Sequence, residues 1–86
     1  MNHLSIYVST GCSSCQRARD IASSLQGVYP GVRVEVVETE SAPEGSVPES
    51  VVAVPAYVLD GELISLGNPN PVTLREQLAA LVLRSG

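Results

Sequence analysis

Leu4, Ile6 and Val8 alternate with Ser5, Tyr7 and Ser9, so a strand over this run sends its aliphatic side chains to one face. The alternation ends at Thr10-Gly11. From Cys12 the period changes: Cys15, Ala18, Ile21, Ala22 and Leu25 recur at steps of three and four. That spacing predicts a helix beginning at Cys12, with Arg17, Asp20, Ser23 and Ser24 toward water and its end near Gly27. Tyr29-Pro30-Gly31 reads as a turn, and Val32, Val34 and Val36 set against Arg33 and Glu35 predict a second strand with one wet side, suited to a sheet edge. Residues 38–50, "ETESAPEGSVPES", are too broken by Pro43, Gly45 and Pro48 for a long helix, and a single turn near Pro48 to Val51 is the most they support. In "PAYVLDGELISL", Asp60-Gly61 separates two strand-like runs and signals a hairpin, because both residues tolerate positive φ. Finally, Asn70 is placed to cap, and Pro71 to open, a helix whose Leu74, Leu78, Leu81 and Val82 share a face.

The order is therefore β-α-β-(short)-β-β-α, an α/β arrangement with no internal repeat or linker, and residues 1–86 suit one domain. With no Phe or Trp and three tyrosines, the core must come from Val, Leu, Ile and Ala, and thirteen valines favour strands. The formal charge is -4, and the five basic residues are arginines scattered at 17, 19, 33, 75 and 84. No basic stripe exists to neutralise a phosphate backbone, which argues against nucleic acid as a partner. The opening "MNHLSIYVST" lacks the pattern of a secretory signal, and no run approaches the roughly 18 apolar residues of a membrane span. A soluble, cytoplasmic protein with no membrane partner is the expectation. In that reducing compartment a close cysteine pair is more often catalytic or metal-binding than a permanent staple.

Cys12 and Cys15 are the only cysteines, three apart at a strand-to-helix junction. The first backbone N–H groups of a helix lack intrahelical partners, and with the positive end of the macrodipole they favour a thiolate over a thiol. A sulfur at Cys12 meets that field, whereas Cys15, one turn on and against the core, meets less solvent and stays protonated longer. Cys12 would attack a substrate disulfide and Cys15 would resolve the mixed disulfide. Ser13 or Ser14 is a candidate hydroxyl donor to the thiolate. Tetrahedral structural zinc wants four Cys or His ligands, whereas the chain offers Cys12, Cys15 and His3, the last on the order of 20 Å away along a strand. Metal shared between two chains remains a separate possibility. A staple closing a three-residue spacing removes little unfolded-state entropy. Arg17 and Arg19 lie on the same helix, where Arg19 either supports a thiolate or is a solvated surface cation. Tyr7 and Tyr57 read as core or sheet-face residues.

In "AVPAY", Pro55 opens an apolar strand and gives up a ladder donor. A cis Val54–Pro55 bond would expose the Val54 N–H and C=O for an incoming extended peptide, whereas a trans bond would make Pro55 an ordinary edge-strand opening. Cys12-Ser13-Ser14-Cys15 after a first strand, Val54-Pro55 before a third, the Asp60-Gly61 hairpin, Gly67 beyond it and a closing helix together resemble the thioredoxin superfamily in its short glutaredoxin-like form. The resemblance implies a thioredoxin-like fold, a four-stranded mixed sheet flanked by helices, with a cis proline facing the cysteines and Val54 and Pro55 binding substrate. The chain departs from thioredoxins in carrying Ile6 where they hold a buried Asp, Gly11 ahead of Cys12, and two serines between the cysteines. It departs from glutaredoxins in Ala53 and in "LGNPNP", where they carry a Thr and a glutathione-gripping Gly-Gly.

The resulting expectation is a thiol-disulfide oxidoreductase that needs no cofactor. Its partners would be a disulfide-containing protein or small molecule and a reductase or thiol reductant. The reading from another class is a binding or regulatory module whose cysteines are a vestige or a switch.

Overall fold

The computed structural model describes residues 1–85, with side chains as far as Leu83; Gly86, the last residue of the expected domain, lies outside them. The chain runs β1 (Asn2–Val8), α1 (Cys15–Leu25), β2 (Val32–Glu38), β3 (Ala56–Leu59), β4 (Glu62–Leu66) and α2 (Pro71–Ser85). The four strands form one mixed sheet in the order β2-β1-β3-β4. β1 lies parallel to β2, with Leu4 opposite Val34 and Ile6 opposite Val36, and antiparallel to β3, with Ile6 opposite Tyr57. The expected edge position of β2 is met, and its Arg33 and Glu35 are exposed.

The alternation along β1 divides the apolar side chains between two faces. Leu4, Ile6 and Val8 are fully buried with Val34 and Tyr57 beneath Ala18, Ala22 and Leu25 of α1 and Leu74 and Leu78 of α2. Both helices thus cover one face of the sheet. Tyr7, Ala56 and Val58 point to the other face and meet Val37, Val47, Val51 and Leu63. That second cluster is roofed by the segment between β2 and β3, which forms isolated turns (Ser46 N–H to Pro43 O at 3.0 Å, Val51 N–H to Pro48 O at 3.0 Å) instead of a helix. The Pro48 turn falls where the sequence allowed one.

Local chemistry fixes the remaining connections. Asp60 and Gly61 adopt φ of 51° and 86°, as a tight hairpin between right-twisted strands demands. Asp60 also reaches back to β1, accepting from His3 N–H at 2.8 Å and from Asn2 Nδ2 at 2.7 Å, while its own N–H donates to His3 O at 2.9 Å. Asn70 Oδ1 accepts from Val72 N–H at 2.8 Å and from Thr73 N–H at 3.3 Å, the capping arrangement read from the sequence, with Pro71 in the first turn of α2. His3 Nε2 lies 2.9 Å from Glu35 Oε1 on the neighbouring strand, an exposed pair across β1 and β2. No helix among the described residues is long and apolar enough to cross a membrane.

Candidate active site

At the end of β1 the chain turns through Ser9–Ser14 into α1. The helix begins at Cys15 and not at Cys12 as the periodicity predicts. The reason is the hydrogen bonding of the turn: Cys15 N–H donates to Cys12 O at 3.2 Å, a three-residue closure, and the first four-residue bond is Ala18 N–H to Ser14 O at 3.3 Å. Apolar spacing cannot register that difference, because Cys12 and Cys15 fall on one side either way. Cys12 consequently sits in the turn ahead of the helix, with Ser14 at the capping position.

The two cysteines are joined as a disulfide, their Cα atoms 5.3 Å apart. Their surroundings differ as expected. Cys15 is 1% exposed within the cluster under α1, whereas Cys12 is half-buried at its margin. Ser14 makes no side-chain cap and the first turn of α1 carries no acidic residue, so the positive end of the helix is not offset locally. Of the proposed hydroxyl donors, Ser14 instead takes part through its backbone: its carbonyl accepts from Asn68 Nδ2 at 3.0 Å.

Opposite Cys12 lies the loop that leads into β3. Cys12 Sγ is 3.9 Å from Val54 O, which brings together two positions 42 residues apart. The Val54–Pro55 peptide bond is cis. Pro55 is buried and its carbonyl accepts from Gly67 N–H at 2.7 Å, whereas no backbone hydrogen bond engages Val54 among the described residues. Val54 borders an open groove lined by Ser9, Thr39, Val51, Val52 and Ala53, with Val52 76% exposed.

A charged bracket steadies the same turn from the β2 side. Thr10 donates to Glu40 Oε2 through both its hydroxyl and its N–H, the latter at 3.0 Å. Those two donors, aided by Arg19, hold the Glu40 carboxyl below the usual carboxylate range. Arg19 is fixed as a two-pronged pair with Glu38, at 2.7 and 3.0 Å, which raises its pKa further. Arg19 therefore ties α1 to the end of β2 and is not a free cation beside the sulfurs. Arg17 is exposed on the first turn.

A model of the thioredoxin domain matches residues 2–82 of the chain. The chain belongs to the thioredoxin family. Among solved structures, this thioredoxin-family chain is similar to mitochondrial thioredoxin 3 from Saccharomyces cerevisiae in its oxidised form, with 26% identity and a TM-score of 0.70. It is equally similar, at 25% identity and a TM-score of 0.71, to a chain solved in work on thiol resolution of a yeast mitochondrial 1-Cys peroxiredoxin through the glutathione and thioredoxin systems. In each case the alignment covers 92% of this chain and 77% of the other. Among curated proteins none matches in sequence. A thioredoxin fold carrying a bonded Cys12–Cys15 pair supports a redox type of function.

Sequence reasoning singled out Cys12, Cys15, Val54 and Pro55, and the thioredoxin fold gathers all four at one end of the sheet. It missed Asn68, Glu38 and Glu40. Asn68 stands in "LGNPNP", which registers only as a departure from glutaredoxins, and the glutamates lie in a segment with no periodicity, so nothing local announces their partners.

Proposed function

We propose that the protein is a thiol-disulfide oxidoreductase in which Cys12 attacks and Cys15 resolves. With the pair reduced, the Cys12 thiolate attacks one sulfur of a substrate disulfide, and the other substrate sulfur leaves as a thiolate and takes up a proton. Cys15 then loses its proton and attacks Cys12 Sγ, releasing the second substrate thiol and closing the Cys12–Cys15 disulfide. The substrate gains two electrons and the domain loses them; a thiol reductant or a reductase restores the dithiol. The supporting observation is the placement of Cys12, the more accessible sulfur, beside a Val54 backbone free of other backbone partners among the described residues. An extended substrate segment pairing with Val54 would present its disulfide to Cys12. The cytoplasm is the compartment proposed for this activity, because in a reducing setting a close cysteine pair is more often catalytic than a permanent staple.

The test is reduction of insulin disulfides with dithiothreitol as the electron source. Turnover should vanish in Cys12→Ser, whereas Cys15→Ser should accumulate a mixed disulfide on Cys12. If Cys15→Ser alone abolished attack, the roles would be reversed. A wild-type pair that exchanged with no disulfide would leave the binding or regulatory module as the reading.

A further inference from the structure

The peptide group between Ser14 and Cys15 is held at both ends. Its N–H donates to Cys12 O at 3.2 Å, and its carbonyl accepts from Ala18 N–H at 3.3 Å and from Asn68 Nδ2 at 3.0 Å. Asn68 comes from the loop between β4 and α2, 54 residues away, and its orientation is fixed. A carbonyl only accepts, so the amide must turn Nδ2 to Ser14 and leave Oδ1 for another partner. That partner is the Tyr57 hydroxyl, which donates at 2.9 Å from a ring that is fully buried in β3. Burial is also what pushes the Tyr57 pKa up to about 12, so its proton stays in place throughout the working pH range. Gly67, the neighbour of Asn68, donates to Pro55 O on the opposite side of the site. One short loop thereby grips both the segment that carries the cysteines and the segment that faces them.

We infer that Asn68 is a positioning residue for the cysteine pair, holding the Ser14–Cys15 peptide in the orientation that closes the disulfide and so making the dithiol a stronger reductant. The inference rests on the oxidoreductase reading. Its physical basis is that the Cys12–Cys15 turn is constrained covalently when oxidised and only by hydrogen bonds when reduced. Opening the disulfide leaves two sulfurs that must move from bonding distance to van der Waals separation, and rotation of the Ser14–Cys15 peptide is the simplest way for them to part. A donor clamped on that peptide resists the rotation, keeps Cys15 poised to attack Cys12, and biases the equilibrium toward the disulfide. Tyr57 acts through Asn68, by fixing which end of the amide faces Ser14.

The experiment equilibrates the wild type, Asn68→Ala, Asn68→Leu and Tyr57→Phe with glutathione buffers and counts free thiols by alkylation. Loss of one such hydrogen bond should weaken disulfide formation roughly fivefold, a potential about 20 mV less negative, in both Asn68 variants. Tyr57→Phe should shift it in the same direction by less, and should add nothing in the Asn68→Leu background. Melting of the oxidised and the chemically reduced proteins gives a second arm that needs no exchange activity: Asn68→Leu should lower the Tm of the oxidised form more than that of the reduced form. Equal losses in both forms, or Asn68 variants whose exchange equilibrium matches that of an exchanging wild type, would overturn the role of Asn68. Failure of the wild type to exchange would instead refute the oxidoreductase reading, and the melting arm would still decide on Asn68. Should Asn68→Ala not fold, Asn68→Leu, of nearly equal volume, carries both arms.

Discussion

Replacing Asp60 by Ala removes two side-chain hydrogen bonds, those from His3 N–H and Asn2 Nδ2, and forces a β-carbon-bearing residue without a polar side chain to hold φ at 51°. The bonds are solvent-exposed, so the lower end of the usual range applies, about 0.5 kcal/mol each. The left-handed backbone adds about 1 kcal/mol. The expected loss is therefore about 2 kcal/mol, equivalent to a fall in Tm of roughly 10 °C for a domain of this size. Urea unfolding at pH 7, with an unchanged slope, measures it. The charge contributes separately. Asn2 first and then His3 hold the Asp60 carboxyl below its ordinary value, so its stabilising contribution is present above the unfolded carboxylate range near pH 4 and disappears as pH falls through the lower folded value. The deficit of Asp60→Ala should thus narrow on acidification, while Asp60→Asn, which tolerates the backbone but offers one acceptor oxygen to the two donors, should lose less than Asp60→Ala at pH 7 and should lack the acid-dependent component. A loss below about 0.5 kcal/mol at pH 7 would refute the accounting. A deficit identical at pH 7 and pH 3 would refute the electrostatic part alone.

Leu78 is wholly buried where α2 meets the sheet, and Leu78→Ala should cost about 2–5 kcal/mol in urea unfolding through the cavity it leaves. Gly67 has φ of 87° and open space where a β-carbon would go, so Gly67→Ala should cost about 1–2 kcal/mol from backbone strain without a clash; its rate of insulin reduction should fall as well, because a backbone that turns to relieve the strain displaces the N–H that anchors Pro55. In the reduced protein, iodoacetamide alkylation followed against pH should give a midpoint below the free-thiol value of about 8.5, carried by Cys12 and lost in Cys12→Ser. By linkage, the reduced form should gain stability as pH rises through that midpoint, and a midpoint at or above about 8.5 would refute activation by the helix start.

The elements that could be read from sequence are those decided by neighbours within a few residues. The alternation of β1, the Asp60-Gly61 turn and the Asn70-Pro71 helix start each carry their own cause. The onset of α1 was read three residues early because the choice between a helical turn and the tighter Cys12–Cys15 closure leaves the apolar spacing unchanged. The cysteines were visible as a pair at a strand-to-helix junction, whereas their approach to Val54 depended on a family resemblance, since pairing across 42 residues leaves no local trace. Arg19 and Asn68 show the limit most clearly. Their partners, Glu38 and the Ser14 carbonyl with Tyr57, are chosen by the fold, and a long polar side chain on a surface reads alike whether it is solvated or clamped.

The two borders of the sheet are unequally defended against strand addition. Along β2, exposed Arg33 and Glu35 place charge on the outer strand, where a second chain would have to desolvate it before pairing. β4 carries its only charge at Glu62 and ends in Leu66, 48% exposed, with Leu63, Ile64 and Ser65 between. Self-association in concentrated solution would therefore begin along β4, and a lysine at position 66 is the simplest protection against it.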